Sequence, residues 1–153
     1  MAVSRAASPP SIQETASRQA GLRRASLAML VLLIAQFGLG MGVNLYVTLP
    51  SAGHPGHGSF FGNGPLLALH AGLGMVLILS AVFLLVRSIS ARDATLMTTS
   101  AAGLMATLLA AFFGSRFTDK LTNGYSLGMA LAAAAALACY AVGLYAASTG
   151  RSS

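Results

Sequence analysis

The chain has 153 residues, 56% hydrophobic and 8% charged, with a formal net charge of +6. Soluble domains carry roughly 25% charged residues, so a fold of this size with water on every side is excluded, and lipid must be the solvent for most of it. The nine cations neither gather on one recognition helix nor alternate with aromatics, which argues against nucleic acid as a partner; they stand at the ends of apolar segments.

Residues 1–24 contain Pro9, Pro10 and frequent Ser, Ala and Arg, and read as a disordered cytoplasmic tail. From Ser11 onward that tail is suited to a short helix at the membrane surface. The domain that follows, residues 25–148, holds four segments that meet the length of about 20 apolar residues needed to cross the hydrocarbon core. They are residues 26–49, 65–86, 94–113 and 125–147. Pro50 is placed to stop the first, because proline cannot continue the backbone ladder. Asn63-Gly64-Pro65 starts the second, with proline at the first helical position. Asn123-Gly124 opens the fourth, and residues 149–153 form a short second tail. The fold class expected is an all-α membrane protein, a bundle of four transmembrane helices.

Arg5, Arg18, Arg23, Arg24, Arg87, Arg92 and Arg151 fall on one side of these spans, and only Arg116 and Lys120 on the other. The excess of basic residues marks the cytoplasmic side. Both termini are therefore expected in the cytoplasm, in a bacterial inner membrane, with loops 50–64 and 114–124 facing outward. Ser51-Ala52-Gly53 has the small residues of a signal cleavage site, but the preceding apolar stretch exceeds the usual 7–15 residues of a signal core. The first span is expected to stay in place.

Helices in lipid associate through close backbone approach and interhelical hydrogen bonds. Small residues recur four apart at Gly38 and Gly42, Ala68 and Gly72, Ala102, Ala106 and Ala110, and Gly124, Gly128, Ala132 and Ala136. Each set lines one helix face and predicts a contact there. The alanine-rich fourth span is narrow and is expected between neighbours rather than against lipid. Asn63-Gly64 and Asn123-Gly124, 60 residues apart and each heading a span followed by Ser88 or Ser148, hint at two duplicated hairpins.

One residue demands a chemical reading. His70, inside "NGPLLALHAGLGMVLIL", is the ionisable side chain set clearly within the apolar region, and such a group is a functional candidate by default. Counting from span ends puts Asn44 and Thr107 at a similar depth, with Gln36 deeper, as one polar layer of Gln36, Asn44, His70 and Thr107. The first reading is that neutral His70 pins two helices by a hydrogen bond to Asn44 or a backbone carbonyl. The second is an axial ligand to haem b. A third, proton transfer, lacks a buried carboxylate or a chain of polar groups across the membrane.

"QFGLGMGVN" followed by "LLALHAGLGMVLIL" resembles the first two helices of a haem A synthase half. That resemblance implies a four-helix bundle with haem between histidines of the second and fourth helices. The fourth span here contains no histidine, and the position matching His70 at the repeat offset is Ala130. Met129, a loop histidine, or His70 of a second copy would have to supply the other ligand. The chain is also similar to small four-span bacterial membrane proteins, a likeness that implies no activity.

In loop 53–64, "GHPGHGSFFGNG", His54 and His57 are spaced to bind a transition metal. Two ligands alone make a weak site, and a loop with Phe60 and Phe61 in the membrane interface is the simpler reading. Asp119 is expected to pair with Arg116 or Lys120 in "SRFTDK", and Cys139 to serve as a small packing residue. The sequence has no phosphate-binding loop, nucleophile elbow or HExxH motif. The function expected is a structural or accessory membrane subunit with no catalysis or cofactor of its own, contacting lipid and a second copy or a larger complex. The alternative is a haem b electron-transfer or haem-handling protein using His70.

Overall fold

A computed structural model describes residues 12–47 and 64–149, all within or flanking four antiparallel helices. They are α1 (Ile12–Tyr46), α2 (Pro65–Ala91), α3 (Ala94–Lys120) and α4 (Asn123–Thr149). Each is long and apolar enough to span a membrane. At 1.5 Å per residue, the 27 residues of α2, α3 and α4 give about 40 Å, more than the roughly 30 Å of hydrocarbon. The protein is a four-helix membrane bundle.

Each helix packs against two others: α1 on α2, α2 on α3, α3 on α4, and α4 back on α1. The backbones of the diagonal pairs do not approach closely. Two short connections enforce this order. Arg92 takes a left-handed conformation (φ 55°) and Asp93 caps α3, its carboxylate accepting the Leu96 N–H at 3.0 Å. Leu121 is likewise left-handed (φ 50°), its N–H donating to Phe117 O at 2.8 Å, before α4 begins at Asn123. Connections this brief can only join antiparallel neighbours.

The second, third and fourth spans lie where the hydropathy puts them, each with some further residues of helix. The first differs. α1 begins at Ile12, so residues 12–24, read from the sequence as tail, are helix continuous with the span. Leu22 and Ser26 are buried there, and Gln19 Nε2 donates to Ala147 O of α4 at 3.4 Å. The helix formers Gln13, Glu14, Ala16, Arg18 and Ala20 carry the earlier start, and contact with α4 begins at Gln19. At the other end α1 stops at Tyr46, short of Pro50, which lies outside the described residues.

The termini end is the end where α1 begins and α4 finishes; the opposite end is the loop end. The buried apolar cluster occupies the termini half, with Leu22, Met29 and Leu33 of α1, Leu77 and Leu84 of α2, Leu96 of α3 and Tyr140 of α4. Outward, large apolar side chains stand exposed on every helix, among them Ile34, Leu79, Met105 and Leu131. No span has more than 28% of its most apolar stretch buried within the bundle. The rest is a surface that only lipid or apolar protein can cover. α4 shares this pattern: Leu127, Leu131, Val142 and Tyr145 are exposed. The expectation that it is shielded by neighbours is corrected, because a ring of four gives every helix two neighbours and two open flanks.

The helices approach through glycines, of which the spacing of four singles out Gly128 but not the others. A Cβ on Gly38, Gly72 or Gly124 would meet nothing within 4 Å. On Gly103 it would fall 2.6 Å from Tyr140 Cζ, on Gly128 3.1 Å from the Phe113 ring, on Gly143 3.0 Å from Thr99 Oγ1, and on Gly114 3.1 Å from Met129 Sδ. α3 and α4 thus exchange knobs in both directions. Thr99 and Phe113 of α3 sit on glycines of α4, while Tyr140 and Met129 of α4 sit on glycines of α3.

Candidate functional site

α1 and α2 are clasped by the same reciprocal device, built here from the two polar residues of their apolar stretches. Gln36 and Gly40 lie one turn apart on α1, and His70 and Gly74 one turn apart on α2. The His70 ring rests on Gly40, where a Cβ would come within 3.0 Å of Cε1; the Gln36 amide rests on Gly74, where a Cβ would be 3.1 Å from Nε2. Antiparallel packing brings each polar side chain opposite the other helix's glycine.

The hydrogen bonds fix the chemistry. Gln36 Nε2 donates to the His70 carbonyl at 2.9 Å. The amide must therefore present its NH2 there, since oxygen facing oxygen at that distance is repelled. The same NH2 lies 3.4 Å from His70 Nε2. We assign Nε2 as the lone-pair nitrogen facing Gln36, which puts the ring proton on Nδ1. His70 Nδ1 and Gln36 Oε1 are both buried without a partner.

The four residues read as one polar layer are divided. Gln36 and His70 meet. Asn44 is exposed near the loop end and lines a shallow recess of 160 Å³ with Val43, Val47, Phe117 and Leu121. It is not the partner of His70. Thr107 is buried on α3, where its hydroxyl donates to Gly103 O at 2.8 Å. His54 and His57, with Phe60 and Phe61, lie outside the described residues. Cys139 is half-buried. Among the described residues, no three of His, Cys, Asp and Glu come together.

Two further polar positions escaped the sequence reading. Tyr140 is 1% exposed and packs its ring onto Gly103, and its hydroxyl makes no hydrogen bond within 3.5 Å among the described residues. Ser88 and Ser100 link α2 to α3 by a buried bond of 3.1 Å, with Ser88 also donating to Leu84 O. The pattern that could have found Tyr140 is a polar aromatic three residues before a glycine, in a helix with no other ring nearby on that face. Ser148, by contrast, is exposed and bonds Tyr145 O on its own helix. The two serines noted as repeat markers do different work.

In the Nδ1–H form the only lone pair of the ring is on Nε2, and the Gln36 amide faces it. On α4, Ala130 has no donor and Met129 Sδ packs against Gly114 of α3. No family model, no curated protein and no solved structure matches this chain.

Proposed function

We propose that this protein is a structural or accessory membrane subunit that has no catalysis of its own and does its work by presenting its outer helix faces to lipid and to partner protein. The observation that carries this reading is the Gln36–His70 clasp. The one histidine within the spans has its ring on Gly40 and its free lone pair against an amide, so it serves helix packing rather than a substrate. Buried Ser88, Ser100, Thr107 and Thr118 support the same reading, each engaged within or between helices. We further propose a bacterial inner membrane with both termini in the cytoplasm, on the bias of basic residues.

Purification of the tagged chain in mild detergent tests the role. The expected result is co-elution with another membrane protein or as a stable multimer, with no turnover of lipid or quinone. A monomer that turns over either substrate contradicts the proposal. The haem-handling alternative, suggested by the resemblance to a haem A synthase half, requires Gln36 to swing away from His70 and a second ligand from another copy.

A further inference from the structure

A groove of about 340 Å³ opens between α1 and α2 in the termini half of the bundle, lined by Ala25, Ala28 and Leu32 on one wall and Leu79 and Phe83 on the other. Ala28, Leu79 and Phe83 are exposed, so the groove opens to the lipid side of the bundle rather than into its core. At its mouth Arg87 lays its guanidinium over the Phe83 ring at 5.4 Å. The guanidinium nitrogens lie 3.8 and 3.9 Å from where a Cβ on Gly21 would stand, an ordinary contact distance that places Arg87 against α1. Arg24, exposed, follows Gly21 by one helical turn and precedes Ala28 by another. Arg87 has this cation–π contact, while Asp93 at the same end of the bundle is engaged in capping α3.

An apolar trough ending in a guanidinium stacked on an aromatic ring matches the chemistry of one molecule. We propose that this groove binds a single anionic phospholipid, one acyl chain along Ala28 and Leu79 and the phosphate at Arg87, with Arg24 beside it. The stacking on Phe83 holds the guanidinium at the interface instead of letting it snorkel freely. Basic pockets between helices at a membrane surface select anionic headgroups in this way. The inference goes beyond the accessory role and does not depend on it, nor on which side of the membrane the termini lie.

Native mass spectrometry of the full chain in mild detergent, doped with phosphatidylglycerol or phosphatidylcholine, tests it. The expected result is one retained phosphatidylglycerol per chain and little phosphatidylcholine. Arg87→Gln should weaken phosphatidylglycerol retention roughly fivefold, the factor for one basic residue at an anionic surface, and Ala28→Phe should displace the lipid by filling the trough. If Ala28→Phe does not elute as a helical species, Leu79→Trp fills the trough from the other wall. Inorganic phosphate should not compete at millimolar concentration, because the chain contact is lost. Equal retention of both lipids, retention by the groove-filled variant, or displacement by inorganic phosphate would overturn the proposal.

Discussion

Gly103 and Gly72 differ in what a methyl group would meet. At Gly103 the new carbon would lie 2.6 Å from Tyr140 Cζ, with two more ring carbons inside 3.0 Å; at Gly72 it would lie in open space. Gly103→Ala should therefore cost about 1–3 kcal/mol through overpacking. Gly72→Ala should be neutral or stabilise by up to about 1 kcal/mol through helix propensity. Reversible unfolding in mixed micelles measures both, and equal effects would mean that α3 and α4 are not in this register. Tyr140→Phe should leave stability unchanged or raise it by up to about 1–3 kcal/mol, because it removes a buried hydroxyl that has no hydrogen bond within 3.5 Å among the described residues. Loss of the clasp by His70→Ala or Gln36→Leu should cost about 0.6–1.7 kcal/mol, the range for interhelical hydrogen bonds in lipid. The double variant should cost less than the sum of the two single ones.

Among the elements, existence and order were legible, because hydropathy and breakers act locally. Pro65 heads α2 as its chemistry implies, and the second, third and fourth spans are helices of at least the expected length. Which face of each helix turns inward was not legible. In α1 the glycines at 38, 40 and 42 present different faces, and a spacing rule favours Gly38 with Gly42. The rotation is decided instead by Gln36 and His70, whose amide and ring need a glycine opposite. That requirement appears only when two helices are considered together. The connection between α2 and α3 supplies a separate test. Asp93→Ala should cost about 0.5–2 kcal/mol through loss of the cap on Leu96 N–H, read by the same unfolding assay. Arg92→Gly, at a φ of 55°, should stabilise or leave stability unchanged. Destabilisation by Arg92→Gly would contradict the left-handed turn.

At the scale of the molecule, the bundle is closed by four helix contacts, while its outer faces remain apolar on every helix. The fold is an inference from length and hydropathy that needed no partner information. The role is harder to read, because the residues that would reveal a partner are the same leucines and valines that would face lipid. Orientation can be read out directly. A reporter active only in the cytoplasm, fused after Ser153, should be active, and a silent but expressed fusion would reverse the topology. The account rests most heavily on His70 as a clasp between α1 and α2 rather than a metal-binding side chain. The absorption spectrum of the purified protein tests this most directly, since haem b gives an intense Soret band. The account predicts no stoichiometric Soret band in the parent protein or in His70→Ala. A band near one haem per chain, or one per two chains, that disappears in His70→Ala would contradict it.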